Sequence, residues 1–383
     1  MRIGFFTDSY LPTVHGVEIS IDTFRKDLEK LGHKVFVYAP YTPGYKDKSR
    51  EIFRMDSVRV IRKPEMRLAF PIVHDGNLRK LIDFKLDIVH AQTPFSMGLL
   101  GKFVSERQKI PLVYTHHTDY VNYAKAYFKK ETFLPPIARS WSVLFSNLSD
   151  AIVAPSPKIK HELLRDGVTQ PISIVPTGIN PKLFAPTHEL NHRAQQLKKS
   201  LGLSPDDDVI IFVGRMGAEK NVPFLLRSYR ELIRSGSRAN LLMVGDGPDL
   251  KKYRNFAKKH KLDRMLFTGQ VPHDRIPSYY RMADLFAFPS LTETQGIVVL
   301  EALASGLPAI VLKDEAFAGV VADNMNGLVV PRHSPKLFAD RMHRALSNAA
   351  LYNRLSRSAV RTAREFSESK EAQRLAALYK KLL

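Results

Sequence analysis

Two glutamates stand in the stretch Ser290-Leu-Thr-Glu293-Thr-Gln-Gly296-Ile-Val-Val-Leu-Glu301. An apolar run at 285–288 precedes it and ends at Pro289. Gly296 opens a second apolar run through Ala304. The pattern predicts a strand, a polar loop and a helix. Unpaired N–H groups at a helix start attract anions. Thr294, Gln295 and Gly296 therefore sit where a phosphate or a sugar hydroxyl would dock. Glu293 falls in the loop and Glu301 about a turn and a half into the helix. The two carboxylates can serve different parts of one ligand. Taken alone, the pair reads more simply as a capping acid and a solvated helix glutamate.

A second constellation is Gly214-Arg215-Met-Gly-Ala-Glu219-Lys220-Asn221, between an apolar strand at 209–213 and a helix from 222. Two cations at a strand's carboxyl end suit a diphosphate whose charge grows as it leaves. No His/Asp cluster at ligand spacing is apparent, so charge stabilisation without a metal is expected and no cofactor is required. The bland alternative is a surface salt-bridge loop. A third segment, Asp8-Ser-Tyr-Leu-Pro-Thr-Val-His-Gly16, joins the first strand to the first helix, and Gly16 would let backbone approach a ligand. The fourth, Tyr114-Thr-His-His117-Thr-Asp-Tyr120, ends another apolar strand. His117 could hydrogen-bond a sugar hydroxyl or act as acid or base near neutral pH; a packed loop histidine is the plainer alternative.

Strands and helices must alternate to place these loops. Strands are predicted at 2–7, 34–39, 58–61, 88–90, 112–116, 151–154 and 172–175, with helices at 17–31, 95–108 and 158–166 among them. After a polar stretch at 188–208, taken as a linker and a short helix, the pattern restarts. Strands follow at 209–213, 240–244, 265–268, 285–288 and 308–311, and three helices close the chain, the last near 369–383. This is an α/β chain with two doubly wound parallel sheets. Ligands bind beyond the carboxyl ends of such strands, and two facing halves would put those ends on either side of one central cleft.

The bulk numbers agree. At roughly 100–200 residues per domain, 383 residues suggest two domains. Cysteine is absent, which excludes disulfides and a thiolate nucleophile. The first apolar run ends at Asp8, too short for a signal-peptide core, and no window offers about 20 uninterrupted apolar residues. A soluble or surface-bound protein is expected, cytoplasmic and peripheral on the inner face of the plasma membrane. The net charge of +20 calls for anionic partners. Nucleic acid is not expected, because no zinc knuckle, helix-turn-helix or aromatic RNA-binding motif is present.

Together, in this order, the four segments with Pro176-Thr-Gly-Ile-Asn180 and Gly245-Asp-Gly-Pro248 resemble glycosyltransferase family 4, the retaining enzymes of GT-B fold. The resemblance covers nearly the whole chain. It implies two Rossmann-like domains facing across a central cleft: 1–190 for the acceptor, with a closing helix at about 366–383 packing back on it, and 191–365 for a nucleotide sugar. It implies that Glu293 contacts donor-sugar hydroxyls, Glu301 the ribose, and Arg215 and Lys220 the diphosphate. Gly16, Thr294, Gln295 and Gly296 would complete the donor contacts, Gln270 and Val271 would hold the base, and His117 would touch the sugar near the reacting face. Front-face displacement, with the departing phosphate taking the acceptor proton, would achieve retention.

The segments His117-Thr-Asp-Tyr120, Thr292-Glu-Thr-Gln-Gly296 and Lys313-Asp-Glu-Ala-Phe317 look most like bacterial diacylglycerol glucosyltransferases and related monotopic glycolipid synthases. That implies UDP-glucose as donor, 1,2-diacylglycerol as acceptor and an α-glucosyl lipid as product. Tyr120, Tyr123, Lys125, Tyr127, Phe128, Lys129 and Lys130 mix aromatics and lysines as a headgroup layer favours. Arg59, Arg62, Lys63 and Arg67, near Phe70, add a second basic stretch. GDP-mannose-dependent mannosyltransferases, soluble glycosyltransferases and a GT-B epimerase are the rivals.

Overall fold

The computed structural model describes residues 1–13, 16–60, 63–69, 84–121 and 134–383. Contacts divide the chain into two units: Met1–Gly178 with Glu368–Leu383, and Ile179–Ser367.

The first unit is built on a seven-stranded sheet in the order β3-β2-β1-β6-β7-β8-β9. Its strands are β1 (Arg2–Phe6), β2 (Lys34–Pro40), β3 (Ile52–Met55), β6 (Ile88–Ala91), β7 (Leu112–Thr115), β8 (Ala151–Ala154) and β9 (Ile172–Ile174). Every pairing is parallel. β6, β7 and β8 are buried at every position, as strands covered on both faces must be. The 58–61 segment departs from the expectation of a further strand in this sheet. β4 (Ser57–Val60) pairs antiparallel with β5 (Lys63–Ala69) in a separate two-stranded ribbon. Its sequence alternates polar and apolar residues, and Val58 is exposed, a pattern that suits a ribbon wetted on one side.

The second unit holds a six-stranded parallel sheet in the order β12-β11-β10-β13-β14-β15. The strands are β10 (Val209–Val213), β11 (Asn240–Val244), β12 (Met265–Gly269), β13 (Leu285–Phe288), β14 (Ala309–Leu312) and β15 (Gly327–Val330). The 188–200 segment is a full helix, His188–Ser200, capped by the Thr187 side chain on the Leu190 N–H, and it packs in this unit. Helix Val222–Arg234 buries Val222, Phe224, Leu225, Leu226, Tyr229 and Leu232 against the sheet. Strand order reverses between β1 and β6 in the first sheet and between β10 and β13 in the second.

Candidate active site

Loops leaving two strands at such a reversal diverge and open a crevice at the strands' carboxyl ends. In the second unit these loops are 214–221, after β10, and 289–296, after β13. They carry Arg215 and Lys220 on one side and Glu293, Thr294, Gln295 and Gly296 on the other.

The loops are tied to each other. Lys220 Nζ donates to Glu293 Oε1 at 2.6 Å, and Ser290 Oγ donates to the same oxygen at 2.6 Å. Thr292 Oγ1 donates to the Glu219 carbonyl at 2.8 Å, and Asn221 Nδ2 to the Pro289 carbonyl at 3.0 Å. The Lys220 and Glu293 side chains are only 24% and 10% exposed, so the pair is largely withdrawn from water. Arg215 stands further out, its Nη1 3.7 Å from Glu219 Oε1.

Backbone packing fixes where these cations sit. Met216 N–H donates to the Asp246 carbonyl at 2.9 Å and Gly214 N–H to the Val244 carbonyl at 3.0 Å. A Cβ on Gly247 would lie 2.7 Å from both the N and the O of Met216. Only glycine lets the two loops approach so closely. Gly296, at φ +76°, turns the chain into helix Ile297–Ala304, and Gln295 beside it is buried.

Glu301 is buried within that helix. Tyr280 Oη donates to its Oε2 at 3.0 Å, and His273 Nε2 lies 3.2 Å from its Oε1. The hydrogen bond to this carboxylate raises the His273 pKa above its ordinary value. Burial, with the Glu301 charge beside it, pushes the Tyr280 phenol well up. Gln270, exposed, and Val271, half-buried on the core, follow the end of β12, where Gly245 N–H donates to the Gly269 carbonyl at 3.0 Å.

At the first unit's reversal, Asp8 follows β1 and is buried. Its carboxylate accepts from the Thr93 and Ser96 hydroxyls and, at 3.1 Å, from the Met97 N–H. It thus caps helix Ser96–Gln108 from across the sheet. Burial raises its pKa against those hydrogen bonds. His117 Nε2 lies 2.8 Å from Gln92 Oε1, so Nε2 carries the proton. Burial first, and the His116 charge second, lower the His117 pKa to about 3. The ring is therefore neutral at neutral pH and meets its partners as a hydrogen-bonding group. Gly16 opens helix Gly16–Lys30. Tyr120 is half-buried, its ring edge-on to Phe95 and His116 at 5.5 Å each. Tyr123, Lys125, Tyr127, Phe128, Lys129 and Lys130 lie outside the described residues, as do Arg62 and Phe70. Among the described residues, no group of three or more His, Cys, Asp or Glu could hold a metal ion. No described helix is long and apolar enough to cross a membrane.

The family model for "Glycosyltransferase Family 4" matches residues 14–183, and that for "Glycosyl transferases group 1" matches residues 194–362. An α-monoglucosyldiacylglycerol synthase of Acholeplasma laidlawii is 32% identical over 100% of this chain and 98% of its own. The chain belongs to glycosyltransferase family 4. This family 4 enzyme is a hexosyltransferase. A GDP-mannose-dependent α-mannosyltransferase of Mycobacterium tuberculosis is 30% identical over 86% of this chain and 84% of its own. The crystal structure of Anabaena Alr3699/HepE in complex with UDP superposes with a TM-score of 0.79, covering 100% of both chains at 17% identity. That likeness shows the shared fold, GT-B.

Sequence reasoning missed the residues that brace the two glutamates: Ser290 for Glu293, and His273 and Tyr280 for Glu301. One signal was available. A glutamate inside Ile-Val-Val-Leu-Glu-Ala-Leu-Ala is set among apolar neighbours and must find donors elsewhere.

Proposed function

We propose that this enzyme moves glucose from UDP-glucose to 1,2-diacylglycerol with retention, forming an α-glucosyl lipid. The observation that carries the donor reading is the pairing of Lys220 with Glu293 across the strand reversal of the second sheet. A cation and a carboxylate held together there can each turn to a different part of one sugar nucleotide. Lys220 and Arg215 would take the diphosphate and Glu293 the sugar hydroxyls. The amides around Thr294, Gln295 and Gly296 would complete those contacts. Glu301 would accept from the ribose, and Gln270 and Val271 would hold the base. In the first unit, Gly16 and neutral His117 are the candidate sugar contacts, and that unit would take the acceptor. The 32% identical synthase supports the choice of sugar and lipid, and the Alr3699/HepE complex supports a UDP donor.

The bond from the anomeric carbon to the β-phosphate oxygen breaks as the acceptor oxygen bonds to the same face. The acceptor proton passes to the departing phosphate. Protein side chains supply position and charge, with no covalent adduct. Isolation of a glycosyl-enzyme adduct would overturn this step.

The test offers UDP-glucose, GDP-mannose and UDP-N-acetylglucosamine to the enzyme with phosphatidylglycerol/phosphatidylcholine vesicles that carry diacylglycerol, phosphatidylinositol or neither. Turnover with UDP-glucose that requires diacylglycerol is expected. Turnover with GDP-mannose on a phosphatidylinositol acceptor would replace it with the mannosyltransferase reading, which the 30% identical relative favours.

A further inference from the structure

We propose that Asn221 and His333 are positioning residues, a clasp across three loops that holds Lys220 to the donor diphosphate. The proposal rests on the reading of Lys220 as a diphosphate ligand. Asn221 follows Lys220 directly and sits at the junction between the short turn Ala218–Lys220 and helix Val222–Arg234. Its N–H donates to the Ala218 carbonyl at 3.0 Å, and its own carbonyl accepts from the Phe224 N–H at 3.0 Å. Its φ is +54°. Asparagine tolerates that region better than most residues, but glycine would serve the backbone as well. What asparagine adds is an amide nitrogen with two hydrogens to donate.

Both hydrogens are committed. Nδ2 lies 3.0 Å from the Pro289 carbonyl and 3.1 Å from His333 Nε2. A carbonyl can only accept, so Pro289 fixes which end of the amide faces it. His333 Nε2 must then accept as well, and the ring proton lies on Nδ1. The clasp joins loop 214–221 after β10, loop 289–296 after β13 and residues 331–334 after β15. β13 neighbours β10, whereas β15 lies two strands beyond β13.

Packing makes His333 a fixed acceptor. Its ring lies over the buried Phe224 ring at 4.3 Å, and Phe338 meets Phe224 edge-on at 5.4 Å. Ser334, the next residue, accepts from the Leu337 N–H at 3.3 Å and so caps helix Pro335–Ser347. His333 is exposed and Asn221 half-buried, so breaking their contact exchanges it for water at little cost in stability. Its value lies in placement. Asn221 fixes the backbone from which Lys220 reaches Glu293 at 2.6 Å, and Pro289 leads into the loop that carries Glu293. Moving such a group by about 1 Å can cost roughly 100-fold in rate.

The experiment is steady-state kinetics on the full-length enzyme with UDP-glucose, GDP-mannose or UDP-N-acetylglucosamine, whichever it turns over, since all three carry the diphosphate. His333→Phe keeps a ring on Phe224 and removes the acceptor. It should lower kcat/KM about fivefold, the worth of one hydrogen bond, with an unchanged melting temperature. Asn221→Gly keeps the backbone conformation, removes both donations and should cost roughly tenfold or more. His333→Gln returns an acceptor and should restore most of the activity. The inhibition constant of UDP or GDP should rise in the two impaired variants, while that of the bare nucleoside holds, because only the diphosphate meets Lys220. A loosened fold would weaken both. In a Lys220→Ala background neither change should cost anything further. Full cost in that background overturns the clasp, as does a wild-type rate in His333→Phe or Asn221→Gly beside an impaired Lys220→Ala. A Lys220→Ala enzyme at the wild-type rate would instead remove the diphosphate reading, and the clasp with it.

Discussion

Lys220 and Glu293 pair at 2.6 Å, mostly out of water. A diphosphate arriving beside Lys220 offers more negative charge than one carboxylate, so the lysine is poised to exchange partners. If it then bears on the leaving group, its loss should cost roughly 100- to 1,000-fold in kcat/KM, as removal of one preorganised donor does elsewhere. Lys220→Ala is expected to show that loss with circular dichroism intact; a fall below fivefold would remove Lys220 from the site. His273 offers a second test. Its pKa is raised by Glu301, so the charge-assisted form of their contact is fully present below about pH 6.5 and gives way to a weaker neutral hydrogen bond as pH rises through the raised value. The groups bearing on the ring are Glu301 and Asp274, with Tyr280 on the far oxygen of Glu301. The donor KM should climb across that range while kcat moves little, and His273→Gln should flatten the climb. A KM profile identical in the variant would mean that His273 does not position Glu301.

One level up, the cations depend on how closely two loops pass. Ala at Gly247 would push against the backbone of Met216, one residue from Arg215. A shift of about 1 Å in such a loop can cost 100-fold in rate, so Gly247→Ala should raise the donor KM and lower kcat/KM at least tenfold. Gly202→Ala is the control: φ is +74° there, with open space around the new Cβ. It should lower the melting temperature and leave the donor KM alone. Equal kinetic effects from both would show strain rather than loop displacement. The same scale explains which elements were legible. Unbroken apolar runs such as Val209–Val213 announce doubly covered parallel strands, and the alternation of short apolar runs with helical segments placed β1, β6, β10 and β13. Helix Leu134–Asn147 was hard to see because it blurs the usual rule: Ser142 and Ser146 are buried beside Phe145, Ile137 and Leu144 are exposed, and Pro135-Pro136 punctuate its start. Of the site, Glu293, Arg215 and Lys220 stood out because they crowd short loops at strand ends. Their braces did not, since Ser290, Tyr280 and His273 acquire meaning only when strand order brings them to a glutamate.

At the scale of the whole chain, the last helix returns to the unit where the chain began. Ile179 and Ser367, the residues flanking the two crossings, pair as a parallel bridge, and Ile179 N–H donates to the Phe366 carbonyl at 3.0 Å. Helix Glu368–Leu382 then buries Ala372, Leu375, Ala376 and Tyr379 in the first unit's core, with Tyr379 Oη 2.6 Å from His90 Nδ1. This closure carries a cost at Glu371. Its side chain is fully buried; Oε1 accepts from Arg374 Nη1 at 2.7 Å, but Oε2 has no hydrogen-bond partner among the described residues. Burial raises its pKa to about 7, against Arg374. A carboxyl raised in the folded state binds its proton more tightly there than in the unfolded chain. Stability should therefore be highest below about pH 4.5 with respect to this group, fall as pH rises to about 7, and stay lowered beyond. The shift corresponds to roughly 3 kcal/mol at pH 8. Glu371→Gln keeps the shape, removes the buried charge and gives up one ion pair with a half-exposed arginine. It should raise the melting temperature by a few degrees at pH 8 and change it little at pH 5. Calorimetry on both proteins at the two pH values checks this. A gain of equal size at both would trace the effect to packing, and a loss at pH 8 would show that the Arg374 pair outweighs the desolvation of Glu371.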